Sequence, residues 1–111
     1  MKHRIAQEGE TAVVSLEGDV DLQSSPDVRG VLLEAVERSA RVVVDLSAVG
    51  YIDSSGIAAL VEALQRSRQR KDRAALALAA VSDPVLRVLK LARLDRVFTI
   101  HPTLAEALPE M

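Results

Sequence analysis

No cysteine occurs among the 111 residues. That excludes disulfides, thiolate zinc sites, iron–sulfur clusters and a cysteine nucleophile. Histidine is limited to His3 and His101, so a metal centre would have to be built mainly from carboxylates. Tryptophan is missing, and the aromatic residues are Tyr51 and Phe98 alone. Base-stacking platforms and aromatic cages need more rings than that, so the core must be aliphatic. Positive charge is not in excess: 14 Lys and Arg stand against 16 Asp and Glu, a formal net charge of −2. The main electrostatic drive toward nucleic acid is therefore absent. No apolar run approaches the ~20 residues that span a bilayer. The opening Met1-Lys2-His3-Arg4-Ile5 passes into polar residues, with no apolar stretch of signal-peptide length. These absences point to a cytoplasmic protein with no cofactor, no direct nucleic-acid partner and no membrane insertion.

What is present is a globular balance, 49% hydrophobic and 27% charged, in a length suited to one domain over residues 1–111. Thr11 to Leu16 reads as a strand. His3 to Gln7 reads as an edge strand paired with it across Glu8-Gly9-Glu10. Gly18 to Asp21 reads as a loop. Ser25-Pro26-Asp27 has the grammar of a helix start, a capping hydroxyl followed by proline and an acid. The helix runs to about Ser39 with Val28, Val31, Leu32, Ala35 and Val36 on one stripe.

Val42-Val43-Val44 marks a strand from Arg41 to Leu46 buried on both faces, followed by a connection over Ser47 to Ile52. Ile57, Leu60, Val61 and Leu64 recur at helical spacing after Asp53-Ser54-Ser55-Gly56. Ala74 to Val81 is another apolar strand. Ser82-Asp83-Pro84 opens a third helix, with Val85, Leu86, Val88, Leu89 and Leu91 as its buried stripe. Val97 to Ile100 is a last strand, and Pro102 opens a short helix carrying Leu104, Ala107 and Leu108.

Strands joined through helices run parallel. The expected fold is therefore α/β: a mainly parallel mixed sheet of four to five strands with about four helices packed on it. In such sheets the working surface lies where strands end and the following helices begin. Gly18 to Asp21 and Ile52 to Gly56 both fall there.

Asp53-Ser54-Ser55-Gly56 combines an acid and two hydroxyls that can cap a helix with a glycine, which is unfavourable in a helix by ~1 kcal/mol relative to alanine. Room for another molecule to approach the backbone would account for the glycine. Asp45-Leu46-Ser47 followed by Tyr51-Ile52-Asp53-Ser54-Ser55-Gly56-Ile57 resembles the core signature of the STAS domain, in its anti-sigma factor antagonist branch. Leu16-Glu17-Gly18-Asp19-Val20-Asp21-Leu22 is similar to that family's first strand and loop. Leu94-Asp95-Arg96-Val97-Phe98 and Leu104-Ala105-Glu106-Ala107-Leu108 are similar to its closing segment.

The resemblance implies a non-enzymatic phosphoswitch. Ser54 would be phosphorylated by a partner that is both anti-sigma factor and serine kinase. The unmodified antagonist would bind that partner and free the sigma factor, the phosphorylated form would release it, and a PP2C-type phosphatase would reset the cycle. The implied partner surface is Asp21, Asp53, Ser54, Ser55, Gly56 and Ile57. Ser55 is the rival acceptor. Asp53 has capping as its simpler role, Asp21 has turn chemistry, and Asp45 would receive loop amides at a strand end. Arg66, Arg68, Arg70, Lys71 and Arg73 would complement a helix carboxyl end.

The chain departs from the family pattern at Lys71-Asp72-Arg73 and at Ala92-Arg93-Leu94, where glycine is common. Three other readings compete. A serine hydrolase would need His101 as its base. A response-regulator receiver would use Asp19, Asp21 and Asp45. An accessory STAS subunit of a bacterial lipid-transport ABC system would bind the ATPase without a serine cycle.

Overall fold

The computed structural model describes residues 1–70 and 75–108. Among them the order is β1 (Lys2–Glu8), β2 (Thr11–Val20), α1 (Ser25–Arg38), β3 (Arg41–Ile52), α2 (Ser54–Gln69), β4 (Ala75–Ala79), α3 (Asp83–Leu91), β5 (Thr99–His101) and α4 (Leu104–Ala107). The strands form one five-stranded sheet in sequential order. β1 and β2 are an antiparallel hairpin, closed through Gly9 at a φ of 63°; the remaining neighbours are parallel. The α/β expectation of a mainly parallel mixed sheet holds.

The alternation of the strands sorts the core. Ala12, Val14 and Leu16 of β2, Val42, Val44 and Leu46 of β3, and Leu76 and Leu78 of β4 form one cluster with Val28, Leu32 and Val36 of α1, Leu60 and Leu64 of α2, and Val85 and Leu89 of α3. Right-handed crossovers that step in one direction across a sheet place their helices on one face, and this shared cluster is that face. α2 is seated more by small residues than the Ile57–Leu64 stripe implies. Gly56, Ala59, Ala63 and Ser67 are buried alongside Leu60 and Leu64, whereas Ile57 and Val61 are half-buried. Small residues let the helix axis approach the sheet closely.

Several boundaries differ from the sequence reading, each for a physical reason. β2 does not stop at Leu16, and β3 does not stop at Leu46. The two stay paired through Glu17↔Ala48, Gly18↔Val49, Asp19↔Tyr51 and Val20↔Ile52, after register shifts that break the apolar alternation. Gly18 to Val20 and Ser47 to Ile52 are therefore strand, not loop. Asp45 lies inside β3 and accepts the Ser47 amide at 2.9 Å, the local partner of that irregularity.

The cap of α1 is Ser24, with Ser25 buried one step inside. α4 is capped by Thr103, whose hydroxyl accepts the Glu106 amide at 3.2 Å. Leu91 is 80% exposed, not part of the α3 stripe. The last strand begins at Thr99; Val97 precedes it in a turn, and Phe98 supplies the buried side chain. Ala80 turns left-handed (φ 51°) directly after β4, which ends that strand short of Val81. Ala74 and the Lys71-Asp72-Arg73 turn lie outside the described residues.

The basic residues at the end of α2 serve a neighbouring helix as well as their own. Arg70 donates to the carbonyls of Val36 and Ser39, at the carboxyl end of α1, at 2.5 and 2.7 Å. Arg66 pairs with Glu37 of α1 at 2.7 Å. Arg68 reaches the Val97 carbonyl at 3.4 Å. Together with the two-pronged Arg29–Glu62 pair, at 2.9 and 2.7 Å, the Arg66 and Arg70 contacts tie α1 to α2 along their outer flank, while Arg68 ties α2 to the turn before β5.

Candidate functional site

The paired extensions of β2 and β3 carry Val20 and Ile52 side by side beyond β4, which follows β3 only as far as Asp45. Two turns leave from that ledge. One runs from Asp21 to Ser24 into α1. The other is the abrupt passage from Ile52 through Asp53 into α2. The Asp53 amide donates to the Val20 carbonyl at 3.1 Å, which locks the second turn to the end of β2.

Asp53 caps α2 from an extended backbone (φ −109°, ψ −172°). Its Oδ1 accepts the Ser55 amide at 2.9 Å, the Gly56 amide at 3.2 Å and the Ser55 hydroxyl at 2.6 Å. The Ser55 hydroxyl, followed by the Gly56, Ser55 and Leu22 amides, holds this half-buried carboxyl below its ordinary value against a desolvation that opposes ionisation. The helix therefore starts with a fixed negative charge that already occupies the Ser55 and Gly56 amides. Of the first three amides in α2, Ser54's alone is not taken by that carboxylate.

The two serines are thus unlike. Ser55 is half-buried, with its hydroxyl committed to Asp53. Ser54 is exposed, and its hydroxyl has no hydrogen-bond partner among the described residues.

Gly56 has a different reason from the one its position in the sequence invites. A Cβ there would stand 2.6 Å from Val20 Cγ1, 2.7 Å from Ile52 Cγ1 and 3.0 Å from the Val20 carbonyl oxygen. The space is filled by this chain's own strand ends, not kept open for a visitor. Gly56 is buried, and it belongs to the site because it lets α2 sit down on the ledge.

Asp21 performs turn chemistry. Its Oδ1 accepts the Gln23 and Ser24 amides, each at 3.0 Å, and the Ser24 hydroxyl at 3.2 Å, while its own amide donates to Ser24 Oγ at 3.0 Å. This closed turn holds Leu22 out, 77% exposed. Tyr51, one residue before the buried Ile52, is 51% exposed. Asp21, Asp53, Ser54, Ser55 and Ile57 thus gather at one end of the sheet, with the exposed Leu22 in the Asp21 turn and Tyr51 on β3, on the face opposite Ile52, two apolar side chains that the sequence reading did not single out. Leu22 had a legible signal, since a leucine inside a polar turn has no core to enter. Tyr51 was hidden by the register shift in β3.

Neither competing site assembles. His101 lies on β5 beside Thr99 and Glu106, on the face of the sheet under α4, not with Ser54. A receiver sheet has the order 2-1-3-4-5, whereas this one is sequential with an antiparallel first hairpin.

Residues 3–107 match the family model for the STAS domain. This chain belongs to the STAS domain family. Among solved structures, an anti-sigma factor antagonist from Mycobacterium paratuberculosis superimposes with a TM-score of 0.85 at 24% identity, covering 96% of this chain and 89% of that one. An anti-sigma-factor antagonist (STAS) domain protein from Planctomyces limnophilus gives 0.84 at 25% identity, covering 95% and 93%. The Bacillus cell fate determinant SpoIIAA in its phosphorylated form gives 0.73 at 17% identity, covering 96% of each chain. The sheet order, the long β2–β3 pair and the helix starting at Ser54 are thus a STAS fold. Its antagonist neighbours share the architecture at low sequence identity.

Proposed function

We propose that this chain is an anti-sigma factor antagonist: a cytoplasmic, non-enzymatic regulator that works by binding and is switched by phosphorylation of Ser54. Its partners are an anti-sigma factor with serine kinase activity and a PP2C-type phosphatase. The observation that carries the reading is the contrast at the start of α2. The Ser54 hydroxyl is exposed and uncommitted, whereas Ser55 is tied to Asp53. A kinase needs the first and would have to break the second. The relatives described as antagonists support the same reading, as does the neighbour of the same fold described in a phosphorylated form.

The chemistry of the switch follows from the cap. A phosphate adds roughly −1.5 to −2 charges. A helix amino end ordinarily welcomes such a group through its free amides, but here Asp53 already holds the Ser55 and Gly56 amides. A phosphate on Ser54 therefore stands outward beside an ionised carboxylate. The fold keeps its cap, and the repulsion falls on whatever is seated over Leu22 and Ile57 beside Ser54. A desolvated like-charge contact costs several kcal/mol; about 3–4 kcal/mol weakens binding some hundredfold to a thousandfold.

The test is binding of the cognate anti-sigma factor by two variants. Ser54→Ala should bind with an affinity within a few-fold of the unmodified chain and resist phosphorylation. Ser54→Asp should keep the fold and bind at least ~tenfold more weakly. Equal affinities for the two variants would contradict the switch. Retention of a transport ATPase in place of an anti-sigma factor would move the chain to the ABC-accessory reading.

A further inference from the structure

β1 is one edge of the sheet, and all seven of its residues are exposed. It pairs with β2 on one side, and among the described residues no strand pairs with its other side, whose amides and carbonyls form an open ladder. The opposite edge, β5, has three residues. We propose that β1 is a self-association surface, on which two copies of this chain pair their β1 strands antiparallel about Ile5 and extend the sheet across both molecules. The inference goes beyond the phosphoswitch and does not depend on it.

Strand geometry limits the possible registers. Along a strand, the backbone groups point alternately toward one edge and the other. Residues opposite each other in an antiparallel ladder must both point inward to the pair or both away from it. Two identical strands related by a two-fold axis can then match only residues an even number of positions apart, with the axis through a residue. The axis through Ile5 overlaps the whole strand from Lys2 to Glu8. It sets Lys2 against Glu8 at both ends, His3 against Gln7, Arg4 against Ala6, and Ile5 against its own copy.

The charges are complementary in that register alone at full length. Moving the axis to Arg4 brings Arg4 onto Arg4, a like-charge pair that destabilises a ladder. Moving it to Ala6 removes Lys2 from the overlap and runs the strand end into the Gly9 turn. Ile5 is also the apolar residue of β1 with most to gain. It is 49% exposed and lies opposite the fully buried Val14 on the helix-bearing side of the sheet. Pairing would bury it against a second Ile5. Because the strands run in opposite directions, the two Ser54 junctions would lie at opposite ends of the joined sheet, and neither is covered.

Sedimentation equilibrium of the full chain over a wide concentration range tests this. The expected result is a monomer–dimer equilibrium. Lys2→Glu alone or Glu8→Lys alone sets like charges opposite at both ends of the ladder and should raise the dimer dissociation constant by ~tenfold or more. The double exchange Lys2→Glu with Glu8→Lys restores opposite charges and should return the constant to within about threefold of the original. Amide hydrogen exchange gives a second readout: alternate β1 amides should gain protection as concentration rises. A monomer up to millimolar concentration would overturn the proposal. So would a dimer indifferent to the single reversals, or a double exchange that does not restore pairing.

Discussion

Asp53 has the most defined role of any side chain at the site. Its carboxylate binds two amides and a hydroxyl of the helix that it starts, and its acidity is raised by them. The folded value lies below the unfolded one, so the ionised cap stabilises the fold at neutral pH. That contribution is lost as pH falls from the ordinary carboxylate range, near 3.9, through the lower folded value. In urea titrations at pH 7 and at about pH 3, the parent chain should therefore lose more of its midpoint than Asp53→Asn does. An equal loss in both would contradict the assigned role. Gly56→Ala offers a second check. Helix propensity alone would favour alanine by ~1 kcal/mol, but the new methyl meets Val20 and Ile52 at 2.6 and 2.7 Å, and overpacking costs about 1–3 kcal/mol. The net change should be destabilising in a denaturant titration; a more stable variant would show that α2 does not bear on the ledge.

Single residues were legible from sequence where their chemistry is local. The Asp53 cap needs only the three residues that follow it. What separates Ser54 from Ser55 is which hydroxyl turns back to the carboxylate, and adjacent identical residues carry no sign of that. The reason for Gly56 was not legible either, because Val20 is 36 positions away in the chain.

Among the elements, helices were read better than strands. The proline-bearing starts of α1 and α3 and the aliphatic stripes of all three long helices were visible in the residue pattern. The far halves of β2 and β3 were not. Their residues are half solvent-facing and irregular in register, so neither alternation nor an apolar run marks them. Those halves nevertheless form the ledge that carries the site. The end of α3 holds a departure with an energetic consequence. Arg93 is left-handed at φ 59°, with its amide on the Lys90 carbonyl at 3.0 Å and the Leu94 amide on the Leu89 carbonyl at 2.8 Å. This is the helix-ending geometry in which glycine avoids a steric penalty. A side chain in that conformation costs about 1–2 kcal/mol, part of which glycine gives back through its freer unfolded chain. Arg93→Gly should raise stability by up to ~1 kcal/mol in a thermal or chemical melt; a lower stability would mean that the arginine side chain makes a contribution of its own.

At the scale of the whole molecule, strand–helix alternation was enough to dictate a parallel sheet, and the motif order was enough to point to the STAS family. The exposure of Tyr51 needed coordinates, because exposure depends on which elements fail to cover a surface, whereas the β1 edge and Leu22 were marked in the residue pattern. The architecture presents one end of the sheet with a fixed carboxylate, a free hydroxyl and apolar neighbours. We assign the switching charge to that hydroxyl. Its most direct test is to incubate the purified chain with its cognate anti-sigma kinase and ATP, then locate the modification by fragment mass analysis. One phosphoryl group on Ser54, absent from Ser54→Ala and still formed in Ser55→Ala, is the predicted result. A phosphoryl group on Ser55 or elsewhere, or none at all, would contradict it.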